Sequence, residues 1–138
     1  MKTQAFAWLT IESGIKSCPQ IAALVSVAPD RQWRQGSCIP LTGVMRHANG
    51  IRFDSHLGEE VDINEHICNV IARFSSDDRK SLATADLVTI EFHLAIYSYS
   101  DVQPVINIQP DVIALLGSIG SGLDVDTYVL GGEMNHDS

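Results

Sequence analysis

QPDVIALLGSIGSGLDVDTYVL, from Gln109 to Leu130, holds a helix, its stop and a strand in one uninterrupted run. Pro110 suits the first turn of a helix, where its missing N–H would have no partner in any case. Val112, Ile113, Leu115, Leu116 and Ile119 supply an inward face. Gly117, Gly120 and Gly122 stop the helix, because glycine tolerates the left-handed backbone of a helix end. From Leu123 the period changes to two. Leu123, Val125, Thr127 and Val129 share one side of a strand; Asp124, Asp126 and Tyr128 share the other. Two amphipathic elements in succession call for a layer of helix on a layer of sheet.

The same two periods recur towards the N-terminus. Val88, Ile90, Phe92, Leu94 and Ile96 line one face of a strand over Leu87–Tyr97, and Thr89, Glu91, His93, Ala95 and Tyr97 make a mixed, partly wet face. Ile63, Ile67, Val70, Ile71 and Phe74 form one face of a helix over Asp62–Phe74, with Asp62 and Glu65 at capping-box spacing. Ser75–Lys80 reads as a polar break and Ser81–Ala85 as a short helical turn. Val105–Ile108 reads as a short return strand. Asn49-Gly50 between Leu41–His47 and Ile51–Leu57 predicts a hairpin. Ser17, Pro19 and Gln20 predict a capped helix carrying Ile21, Leu24 and Val25 and ending at Pro29. Phe6–Ile11, apolar on both faces, reads as a central strand. Residues 18–25 and 109–116 resemble each other faintly, as two proline-led helices that each follow a strand.

The fold class that follows is α+β. The sequence predicts a two-layer sandwich, a mostly antiparallel sheet with helices on one face, in the order β-α-β-β-α-β-α-β related to ferredoxin-like sandwiches. The 138 residues are expected to form one domain, with 132–138 a loose tail.

A hydrophobic share of 45% against 19% charged residues suits a soluble globular chain. No apolar run reaches the roughly eighteen residues of a spanning helix, so no membrane association is expected, and no signal peptide is read at the N-terminus. Cys18, Cys38 and Cys68 stand at neither metal-ligand nor redox spacing, and their odd number argues against a disulfide framework. A reducing compartment, the cytoplasm, is expected. The net charge of −8 disfavours nucleic acid and favours a basic partner.

That charge is unevenly laid out. From Ser81 to Ser138 there are eight acids and no Lys or Arg. Between Asp30 and Asp54 there is no acid, yet Arg31, Arg34, Arg46 and Arg52 lie there with Trp33. Arginine and tryptophan are enriched where proteins bind. These five residues are candidate binding residues for an anionic group, unless the arginines pair with the acidic half of their own chain. Asp124 and Asp126, roughly 7 Å apart on a regular strand, are a second candidate pair for binding; with no third oxygen ligand at a recognisable spacing, a solvated strand face, or Asp124 holding a turn or cap, is the favoured reading. Asp54/His56 and Glu91/His93 would bring four donors together only if their strands were neighbours. The glycines after Leu116 follow a helix rather than a strand, the wrong order for a phosphate loop.

Arg31-Gln-Trp33-Arg-Gln-Gly36, the proline-led helix at Pro110 and the terminal Leu123-Asp-Val-Asp126-Thr-Tyr128 together resemble the bacterial domain-of-unknown-function family 4279. The resemblance spans nearly the whole chain. One departure is Phe53, where the family's strand commonly has Trp. The resemblance implies an α+β domain of this size and no established enzymatic activity, so it assigns no catalytic residue.

The functional expectation is a non-catalytic binding or interaction domain without a cofactor, one form being an acidic antidote (immunity-type) protein for a basic partner. The alternatives are a small-molecule or metal-dependent enzyme using Asp54/His56 and Glu91/His93, and a self-associating structural protein, as a homodimer joining Arg31–Arg52 to the acidic face of a second copy.

Overall fold

The computed structural model describes residues 3–101 and 103–130; the expected tail at 132–138 lies outside them. Its centre is β1 (Thr3–Ser13), which pairs antiparallel on one side with β3 (Asn49–Asp54) and on the other with β4 (Thr89–Ser98). β2 (Arg31–Trp33) borders β3, and β5 (Gly122–Val129) runs parallel to β4 at the far edge. The order is β2-β3-β1-β4-β5. A parallel neighbour needs a crossover. The segment after β4 supplies it through α4 (Pro110–Ser118).

The remaining helices are α1 (Cys18–Ala22), α2 (Ile63–Ile71) and α3 (Ser76–Thr84). Alternation decides which side they cover. Leu9, Ile11, Ile51, Phe53, Phe92 and Leu94 turn to one side and are buried against Ile67, Val70, Ile71, Phe74, Val112, Leu116 and Ile119. Burying one such Phe or Leu contributes about 1.5–3 kcal/mol. Phe53 and Phe74 meet edge to face, their centroids 5.0 Å apart. The other side of the sheet carries the opposite residues, among them Trp8, Arg52, His93 and Asp124. The α+β sandwich with helices on one face is therefore present, with β1 central as its two apolar faces predict.

Several elements differ from the sequence reading, each for a tertiary reason. Asn49-Gly50 is not a hairpin turn but the start of β3. Its partner strand is β2, and Leu41–His47 contributes only an isolated bridge, Cys38 to Met45. Glycine is required at 50 by close approach: a Cβ there would lie 2.4 Å from the Trp33 ring. The polar stretch after Phe74 is the first turn of α3. Ser75 caps it, accepting from the Asp78 amide while the Asp78 carboxylate accepts from the Ser75 amide. Asp78 also receives the amide (2.9 Å) and hydroxyl (2.8 Å) of Ser26, which ties α3 to the segment after α1.

The Ser17–Gln20 capping box forms as read, but α1 stops at Ala22, well before Pro29. Asp62 caps α2 through the Asn64 amide. No strand forms over Val105–Ile108. Ile113 is exposed, so the buried stripe of α4 is Val112, Leu116 and Ile119. The two proline-led helices sit in unlike units. β4 and β5 are neighbours, whereas β3 stands between β1 and β2.

Candidate functional site

Between β1 and β3 the chain leaves the sheet and folds over one end of it. Ser17 caps α1, and the Cys18 thiol donates to the Trp33 carbonyl at 3.0 Å, fastening α1 to β2. Beyond β2 the segment doubles back on itself. The Gly36 amide donates to Arg46 O and the Arg46 amide to Ser37 O, at 2.9 and 2.7 Å; nearer the tip, the Ile39 amide donates to Val44 O at 2.7 Å. Gly36 and Gly43 supply the left-handed backbone of these turns, with φ of 87° and 71°. Asn49 closes the base. Its Oδ1 accepts from the Gln35 amide and its Nδ2 donates to the Lys16 carbonyl, both at 2.9 Å.

These connections border an open cavity of about 920 Å³ lined by Arg31, Arg34 and Arg46 with Trp33, Ser17, Cys18, Pro19, Gln32, Ser37, Cys38, Pro40 and Asn49. No Asp or Glu lines it. Among the described residues, none of the three arginines forms an ion pair. The Arg46 guanidinium lies over the Trp33 ring, 4.2 Å from its centroid. Nε of Arg46 and Nε1 of Trp33 are buried without a hydrogen-bond partner among the described residues. Stacking on Trp gives Arg46 a fixed plane and leaves its terminal nitrogens as donors. Four of the five candidate residues in the Arg31–Arg52 stretch thus meet at one cavity. Cys18, Cys38 and Asn49 join them, and nothing in their spacing announced it.

Arg52 is the exception. It points to the open side of the sheet, lies 4.4 Å from the Trp8 ring centroid, and gives its Nε to Asp54 at 2.5 Å. Nearby, Asp30 gathers three donors: Arg73 Nη1 at 2.9 Å, the Asp54 amide at 2.7 Å and His56 Nε2 at 3.3 Å. Burial alone would raise the Asp30 pKa; the Asp54 amide, Arg73 and His56 outweigh it and hold the carboxyl below its ordinary 3.8.

Asp124 and Asp126 share the open face of β5, at the opposite edge from β2. Four strand spacings, roughly 19 Å, separate those edges, so the cavity arginines do not pair with these acids in the same molecule. Asp124 instead closes a row across three strands. His93 Nδ1 is 3.4 Å from Asp124 Oδ2, His93 Nε2 is 2.9 Å from Thr10 Oγ1, and the His93 ring stacks on Trp8 at 5.3 Å. An acid, an imidazole and a hydroxyl in line resemble a nucleophilic relay. Thr10, however, is only 6% exposed and lines none of the cavities. Thr10–His93 joins β1 to β4, and the weaker His93–Asp124 contact extends the row to β5.

β1 stands between Asp54/His56 and Glu91/His93. Asp54 and His93 flank Trp8 in one row, two strand spacings apart, and the four donors do not converge. Among the described residues, no three His, Cys, Asp or Glu side chains are grouped to hold a metal ion. No described helix is long and apolar enough to cross a membrane.

The family model described as "Domain of unknown function (DUF4279)" matches residues 2–130, and the chain belongs to that family. Neither the curated proteins nor the solved structures gave a match.

Proposed function

We propose that this DUF4279 chain is a non-catalytic binding domain that takes an anionic group in the Arg31–Arg34–Arg46 cavity. The observation that carries this reading is three guanidinium groups around one cavity that no Asp or Glu lines, Glu12 meeting Arg46 only across a neighbouring cavity. Arg31 and Arg34 are exposed and hydrated, so they need no internal acid, but three cations clustered with Trp33 raise the local potential for an anion, and arginine's fork of donors suits carboxylate and phosphate oxygens. The three thiols are free among the described residues, in keeping with a reducing compartment. A fluorescent aromatic sulfonate, 8-anilinonaphthalene-1-sulfonate, tests the reading. Binding should weaken with salt and fall at least tenfold in Arg31→Gln/Arg46→Met. Binding that ignores both would overturn it.

A second reading is an antidote-type protein that holds a basic partner on its acidic edge. It is favoured by β5, whose Asp124 and Asp126 are exposed on an edge strand. Capture of partners from the source cell, repeated with Asp124→Lys/Asp126→Lys and across a salt series, tests it. A basic partner lost on substitution supports the reading. Partners that bind both forms equally sink it.

A further inference from the structure

Resting on the anion-binding reading, we propose that the ligand of this cavity is a small organic polyanion with two or three negative charges, carried as phosphate or carboxylate groups. Size gives the first argument. A cavity of about 920 Å³ falls at the upper end of the range for small-molecule sites, roughly 300–1,000 Å³. One oxyanion would leave most of it to water. Charge gives the second. Arg31, Arg34 and Arg46 present three positive charges from three separate chain positions, and no lining acid reduces them. A singly charged side chain of a partner would leave two of them unmatched in a site that excludes part of the solvent.

The walls give the third argument. Pro19, Pro40 and the Trp33 ring are apolar surfaces beside the cations, so the molecule has an organic body as well as charge. The three arginines also differ in role. Arg46 is held flat by Trp33 and offers a fixed fork, whereas Arg31 and Arg34 are exposed and close on a ligand by side-chain rotation. Arg46 therefore anchors one anionic group, and the exposed pair takes the others.

The test displaces the bound sulfonate dye from the full chain with citrate, tripolyphosphate, orthophosphate and acetate, with calorimetry as a second measure. Citrate or tripolyphosphate should bind at least tenfold more tightly than orthophosphate and acetate. Arg46→Met should weaken that binding at least tenfold, and Arg31→Gln several-fold. Arg31 lies exposed on the edge strand β2, so its variant keeps the test valid if Arg46→Met fails to fold. Preference for citrate assigns the groups as carboxylates, and preference for tripolyphosphate assigns them as phosphates. If the dye binds through the arginines but neither polyanion outdoes acetate, the polyanion assignment is wrong and the anion reading survives. If the dye shows no arginine dependence, both fall.

Discussion

The Arg46 guanidinium lies 4.2 Å from the centre of the Trp33 ring, and the same ring lies against the bare Cα of Gly50. Gly50, Trp33 and Arg46 are thus stacked in that order, from the sheet outward to the cavity. The glycine admits the indole, and the indole sets the plane of the arginine.

Gly50→Ala tests this stack. The added methyl would come within 2.4 Å of the indole, and the strand backbone beneath it cannot retreat. The expected cost is about 1–3 kcal/mol by urea unfolding, together with weaker dye binding in the cavity. A variant of unchanged stability and unchanged binding would show that Trp33 is not held there.

His66 makes the fold sensitive to mild acid. It is 1% exposed, its Nδ1 is 2.6 Å from the Ser55 hydroxyl, and burial lowers its pKa from 6.5 against the opposing pull of the Gly58 and Val61 backbone and of Asp62 and Glu65. The unfolded chain therefore takes up this proton before the folded one does. His66 contributes no penalty above pH 6.5, and stability declines as pH falls below it. Urea midpoints measured from pH 7.5 to 5 should fall for the parent chain and fall less steeply for His66→Gln. Equal slopes would remove His66 as the cause.

Asp78 and Asp30 act at lower pH. Burial raises the pKa of Asp78, but the Ser26 hydroxyl and the Ser75 and Ser26 amides outweigh it and leave the carboxyl below 3.8. Both groups have folded values under their unfolded ones, so their stabilisation is complete above about pH 4 and is lost as pH drops through the folded values. Asp78→Ala strands the Ser26 and Ser75 donors and should cost about 1–3 kcal/mol at pH 7. That difference should shrink as pH falls below 3.8. A gap that stays constant with pH would count against the carboxylate's role.

Thr10→Val tests whether the row from β1 through His93 reaches β5. It removes the partner of His93 Nε2 while keeping the side chain's shape. Asp124 is half exposed, so its link to His93 contributes little, and the expected total loss is about 1 kcal/mol. The sharper readout is amide hydrogen exchange, which should quicken several-fold at Leu123–Tyr128 and stay unchanged in β1. Uniform change across the sheet would mean that the row is not specific to β5.

The elements read correctly are those whose period is written locally. The even positions of β4 and the α2 stripe carry their own register, and their burial follows it. In the Pro110-to-Val129 run Val112, Leu116 and Ile119 are buried, but the edge strand β5 leaves Leu123 and Thr127 exposed. Reading failed where a residue served a distant neighbour. Asn49-Gly50 carries turn chemistry, yet its glycine answers to Trp33 and its asparagine to Lys16 and Gln35. The polar run Ser75–Lys80 resembles a loop because the partners of Asp78 include Ser26, far away in the chain. Arg52 belonged by sequence with Arg31, Arg34 and Arg46 and pairs across the strands with Arg31, but its side chain reaches over Trp8 to Asp54, which meets its charge away from the cavity.

The sequence by itself determined the α+β class, the central place of β1, the opposite faces of β5 and the family, because periodicity and short motifs are properties of adjacent residues. It also separated a base-rich stretch free of acids from an acidic half free of bases. Only the tertiary structure decided that β2 with Arg31 and β5 with Asp124 and Asp126 occupy opposite edges of one sheet, four strand spacings apart and beyond internal pairing. It likewise decided that Arg31, Arg34 and Arg46 surround one cavity, because convergence depends on which strands pair, and pairing is settled by packing across the whole chain.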